Sequence, residues 1–272
     1  LGRLTPMVKQ HRAYIQTAPP QDQIHARYAG DSGPAIFLLH QLPISCRQME
    51  RLIPLLGEHM RVWGLDTPGY GISPSTLTQQ TFVEYARRML EAIDALGVEH
   101  FALLGTEIGV AMAAEIARQA GAKRVTHFIA LAAPPSDPAG HQAFLTELGE
   151  PAPQQDGSHL LPIWQFWQRR WGADTDNATL RMACTENTYI YSRYHWGLRA
   201  YADYDLAAGL KQITSPALFL SAERDVMKDN TAAAAALVPR AEHRILVGTR
   251  APLVSTEAEK LTEIITAFVG TG

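Results

Sequence analysis

FALLGTEIGVAMAAEIARQ, residues 101–119, opens with an apolar run and closes with an alanine-rich segment. It reads as strand, tight turn and helix, with Gly105 and Gly109 flanking Glu107. Small residues are needed where a sharp strand-to-helix turn crowds backbone against side chains. Such a turn also leaves its central side chain exposed above the sheet. Glu107 is therefore expected at an apex where chemistry could take place.

On either side of this unit, short runs of apolar and β-branched residues alternate with longer segments of helical period. The runs predict strands at 35–40, 61–66, 101–105, 125–132, 217–222 and 243–248, with an earlier hairpin from 9–16 and 24–29. Helices are expected at 46–57, 81–96, 108–120, 230–237 and 256–269. The second of these starts at a Thr81 cap and lines up Phe82, Tyr85, Met89 and Ile93. This is the pattern of an α/β chain with a mostly parallel sheet covered by helices on both faces.

From residue 136 the alternation fails and aromatic residues accumulate, among them Trp164, Trp167, Trp171, Tyr191, Trp196 and Tyr201. The segment reads as a helical lid, residues 136–205, inserted into a core made of residues 1–135 and 206–272. Its aromatic residues could form a small core of their own or line a pocket for an apolar ligand.

Composition narrows the classes of function. The 272 residues are 46% hydrophobic and 19% charged, below the roughly 25% charge of average soluble domains. A sizeable buried core is implied. Lys and Arg number 24 against 27 Asp and Glu, so no basic field exists to attract nucleic acid. No apolar run approaches the roughly 18 residues of a membrane span, and the opening LGRLTPMVKQHR lacks a signal-peptide layout. A soluble cytoplasmic chain without a membrane partner is expected. Cys46 and Cys184 have no zinc or redox spacing. Without an H-E-x-x-H motif or a Gly-rich phosphate loop after a strand, no metal or other cofactor is inferred.

Four further segments stand in a recognisable order around the elbow at Glu107: LLHQLP (38–43), LDTPGYGIS (65–73), SAERD (221–225) and VGT (247–249). With the elbow, they make the chain resemble the α/β-hydrolase superfamily. Its capped members, such as epoxide hydrolases, haloalkane dehalogenases and C–C hydrolases, are the most similar. The resemblance implies an eight-stranded, mostly parallel sheet flanked by helices, with an inserted helical cap. It also implies that Leu42 and Ile108 supply oxyanion-hole amides, that His40 shapes the oxyanion loop and that Asp225 is the acid. The pattern is broken at three places. Glu107 stands where the family has Ser, Cys or Asp, Gln41 replaces the loop glycine, and Arg250 falls where the histidine base belongs.

Each change alters the chemistry. A serine nucleophile needs a neutral imidazole to take its proton, and an ester formed on a carboxylate needs the same base to activate water. Arginine, protonated far above neutral pH, cannot serve. Ser-His-Asp hydrolysis is thereby excluded. An Asp225–Arg250–Glu107 ion triad is expected instead, either plugging a disused site or holding a carboxylate for acid/base work. His195 is a candidate replacement base. Trp164, Trp167 and Tyr191 are candidates for contact with a small hydrophobic ligand, alongside His40, Gln41, Leu42 and Ile108.

Three functions remain open. One is a divergent enzyme using Glu107 as acid or base in elimination, isomerisation or ring closure on a carbonyl compound. Another is a non-catalytic small-ligand-binding pseudohydrolase. The third is a hydrolase with Glu107 as covalent nucleophile. A homodimer is an admissible assembly.

Overall fold

The central strands carry apolar side chains toward both faces, which explains why they read as nearly continuous hydrophobic runs. A computed structural model describes residues 8–19, 23–75, 78–148, 153–190, 193 and 195–270. The strands are β1 (His11–Gln16), β2 (Gln23–Ala29), β3 (Ala35–Leu39), β4 (Arg61–Leu65), β5 (Phe101–Thr106), β6 (Val125–Leu131), β7 (Ala217–Arg224) and β8 (Glu242–Arg250). They form an eight-stranded sheet in the order β1-β2-β4-β3-β5-β6-β7-β8. The β1–β2 and β2–β4 pairings are antiparallel and the others parallel. Every predicted strand is present, in the α/β-hydrolase arrangement.

The helices are α1 (Leu52–Leu56), α2 (Phe82–Ala95), α3 (Ile108–Ala120), α4 (Pro138–Leu148), α5 (Leu160–Trp171), α6 (Asn177–Tyr189), α7 (Trp196–Ala202), α8 (Leu206–Lys211), α9 (Lys228–Ala236), α10 (Leu253–Thr256) and α11 (Ala258–Val269). The helix expected at 46–57 is instead a short 3₁₀ turn, Cys46–Met49, followed by α1. Pro54 has no N–H to return to the carbonyl of Glu50, so one helix cannot run through both. At the other end of the chain the expected 256–269 helix is preceded by the separate short α10.

Alternate side chains of each central strand enter two cores. Phe37, Leu39, Phe101, Leu103, Phe128 and Phe219 face α2 and α3. Ile36, Leu38, Ala102, Leu104, Ile129 and Leu220 face α1 and α11. Between β6 and β7 the chain makes α4 to α7, and Ile163, Phe166, Trp167 and Trp171 of α5 extend the first core. Among the described residues no helix is long and apolar enough to cross a membrane.

Candidate active site

The elbow between β5 and α3 is built from contacts that only glycine permits. A Cβ on Gly105 would collide with the backbone of Gly109, and one on Gly109 with the carbonyl oxygen of Leu39. Between them Glu107 adopts φ 48° and ψ −122°. Strain of this kind costs about 1–3 kcal/mol and persists only where the surroundings impose it. Here the main chain imposes it: the Glu107 N–H donates to Leu131 O at 3.0 Å, and its carbonyl accepts from the Val110 N–H at 2.8 Å.

The Glu107 side chain, 6% exposed, meets a guanidinium. Arg170 Nη2 donates to Glu107 Oε2 at 2.6 Å, and the Arg170 side chain is 1% exposed. Arg170 comes from α5, on the stripe Ile163, Phe166, Trp167, Arg170 and Trp171 that faces inward. A charged residue on an otherwise apolar stripe at helical spacing is a sequence signal that could have singled it out.

The same arginine acts on Asp225. Burial raises the Asp225 carboxyl above its ordinary value, while the Met227 amide and the Arg170 charge pull it down only in part. Met227 N donates to Asp225 Oδ1 at 2.8 Å. Arg170 is thus paired with Glu107 and acts on Asp225 only through its charge.

Of the Asp225–Arg250–Glu107 triad expected from the sequence, the partner of Glu107 is Arg170 of α5 and not Arg250. Arg250 turns toward the loop after α5, where its Nη1 donates to Thr175 Oγ1 at 3.2 Å and its Nε lies 3.5 Å from Asp174 Oδ2. Alignment to the terminal loop located Arg250 in the chain, but only tertiary packing could bring α5 over the elbow.

The other candidates divide. His40 is buried with both ring nitrogens engaged: Nε2 accepts from Thr67 N at 2.9 Å and Nδ1 lies 2.9 Å from Gln41 O. Desolvation lowers its pKa, which keeps the ring neutral in this role of joining two loops. Gln41 is tied to Gln48, whose Oε1 accepts the Gln41 N–H at 3.0 Å. Leu42 and Ile108 are both buried. Ile108 takes the first position of α3, where a backbone N–H has no intrahelical acceptor and the helix dipole favours negative charge.

Trp167 is fully buried, its Nε1 donating to Asn187 Oδ1 at 2.6 Å and its ring 4.3 Å from that of Trp171. It builds the interior of the helical segment rather than an open wall. Trp164 is half-buried against the same core. His195 is half-buried at the start of α7, beside Gly197, whose N–H donates to Tyr70 Oη at 2.8 Å. Tyr191 lies outside the described residues. Besides Arg170, Tyr201 escaped sequence reasoning: it is fully buried, its hydroxyl donates to Pro135 O, and burial together with the charges of Asp137 and Glu107 raises its pKa.

Comparison with known proteins agrees with this architecture. Segments of about a third of the chain or less are 34% identical to a protein of Mycobacterium phage D29 named as a non-heme haloperoxidase (89 residues) and to a fluoroacetate dehalogenase of a Burkholderia species (85 residues). These matches span 32% and 28% of the relatives' own lengths. An esterase from Exiguobacterium antarcticum superposes with a TM-score of 0.80 at 19% identity, covering 96% of this chain and 100% of that one. The enol-lactonase from Burkholderia xenovorans LB400 gives 0.76 at 18% identity, covering 95% and 100%. At such identities the likeness shows the fold alone. The model of the alpha/beta hydrolase fold family matches residues 34–249, and the chain belongs to that family.

Proposed function

We propose that this chain is an enzyme acting on a small hydrophobic, carbonyl-bearing molecule through Glu107 acid/base chemistry rather than Ser-His-Asp hydrolysis. The observation that carries the reading is the ion pair at the elbow. A carboxylate held by Arg170 occupies the nucleophile's position, 2.6 Å from a buried guanidinium. In this reading Glu107 removes a proton next to the carbonyl. The amides of Leu42 and Ile108 stabilise the developing oxyanion. Asp225, whose burial favours the protonated form, supplies a proton to the product side. Elimination, isomerisation and ring closure all fit this division of labour, and α4 to α7 would act as the lid that excludes water. A cytoplasmic location belongs to the same proposal.

The near-complete burial of Glu107 against Arg170 also favours a second reading, a non-catalytic binding protein in which the pair plugs the old site. Turnover and intact mass, followed together during incubation with lactones, esters, epoxides, haloalkanes and enolisable ketones, separate the readings. Acid/base catalysis gives product without an adduct, and Glu107→Gln lowers the rate by about 10³-fold or more. A covalent adduct on Glu107 would replace the proposal by nucleophilic hydrolysis. Ligand retention with no product would support the binding protein.

A further inference from the structure

A second cluster of chemistry-bearing side chains lies away from Glu107, where β2, the turn after β4 and the 3₁₀ turn meet. His25, Cys46 and Asp66 are each at most 1% exposed, and one ligand atom from each lies within 4.8 Å of the others. His25 Nδ1 is 2.8 Å from Asp66 Oδ2. The carboxylate also accepts the Cys46 N–H at 2.8 Å and the Ile72 N–H at 3.1 Å. These bonds hold the aspartate in place from the main chain. The other ring nitrogen, His25 Nε2, is buried and has no hydrogen-bond partner among the described residues. A buried polar atom without a partner is costly, about 1–3 kcal/mol. Both His25 and Asp66 line a cleft of about 390 Å³, whose walls include Glu50 and Glu186. The same walls carry Arg12, Arg27 and Arg47, the last two of which pair with these carboxylates, so the cleft gives the cluster a route to solvent without a net negative lining.

We propose that His25, Cys46 and Asp66 form a binding site for a divalent transition-metal ion of zinc type. A nitrogen, a sulfur and an oxygen donor together match zinc or cobalt(II) better than the all-oxygen preference of magnesium or calcium. Around such an ion, ligand atoms stand about 3.3–3.8 Å apart, from metal–ligand bonds of about 2.0–2.3 Å. To reach that value the His25–Asp66 pair opens from 2.8 Å, the metal replacing its hydrogen bond, and the wider separations, within 4.8 Å, close by side-chain rotation. Cysteine binds such an ion as the thiolate. Binding is therefore an exchange: the metal–sulfur bond forms, the sulfur–hydrogen bond breaks, and one proton leaves to solvent. The sequence shows no metal motif because the three ligands come from three separate segments.

Cobalt(II) titration tests the site on the wild-type chain and on Cys184→Ser, in which Cys46 is the single remaining thiol. The expected result is a thiolate-to-cobalt charge-transfer band in the near ultraviolet, saturating at one ion per chain in both proteins and displaced by zinc. About one proton should be released per ion. Affinity should fall more than tenfold in His25→Ala, and the band should vanish in Cys46→Ala. Absence of the band from the wild-type chain overturns the proposal. So does its loss in Cys184→Ser, or unchanged affinity in His25→Ala. If Cys46→Ala does not fold, the wild type and Cys184→Ser still decide the matter.

Discussion

Removing Arg170 while keeping Glu107 leaves a buried carboxylate with its ionic partner gone. Arg170→Met is expected to destabilise the chain by about 3–5 kcal/mol in denaturant unfolding. Adding Glu107→Gln to it should recover much of that loss, since the uncompensated charge disappears; equal losses in the single and double variants would contradict the pair. Asp225 gives a pH-dependent counterpart. Its carboxyl is raised in the folded state, so the native protein binds a proton more readily than the unfolded chain. Its contribution is thus fully present below the ordinary Asp value, near 3.8, and is lost as pH rises through the raised value. Asp225→Asn should therefore gain stability relative to wild type as pH climbs from about 4, then level off. Urea midpoints of both proteins across that range check the sign. At this scale the sequence was half legible. Glu107 and Asp225 could be placed because motifs mark them, whereas Arg170 and Tyr201 act through packing between segments far apart in the chain.

The strand-turn-helix unit around Glu107 depends on side chains that are not there. Gly109→Ala directs a methyl group into the Leu39 carbonyl, so the elbow and β3 cannot both keep their places. A loss of about 3 kcal/mol or more, or failure to fold, is expected, with thermal unfolding as the measurement. Elements of this kind were readable because periodicity and punctuation act locally. The Thr81 cap starts α2 as expected, and Glu84 completes a capping box with it. The error at 46–57 has an equally local cause: apolar spacing suggested one helix, and the hydrogen bond lost at Pro54 outweighed it.

Across the whole molecule, the helical segment between β6 and β7 is fastened to the sheet by a few polar links. Among the described residues they include Glu107 with Arg170, Arg47 with Glu186 at 3.4 Å, Arg250 with Thr175 at 3.2 Å, the Gly197 amide with Tyr70, and Tyr201 with Pro135. Loss of the first link should raise amide hydrogen exchange in α5 and α6 of Arg170→Met while leaving β5 and β6 protected. Uniform change across the chain would mean that the pair stabilises the fold without fastening this segment in particular. The overall architecture was legible because the central strands read as apolar runs alternating with helices, and the motifs around the elbow made the chain resemble a family with one known sheet order. How α4 to α7 lie across the elbow was not, since aromatic density alone does not say which side chain meets which. At that elbow the turn itself is fixed by the main chain of residue 107, its N–H to Leu131 and its carbonyl from Val110, while the side chain it carries is engaged separately by Arg170. The frame is thus indifferent to what it displays, so a lineage could exchange one reactive group for another without rebuilding the protein. Its chemistry can drift while its architecture stays fixed.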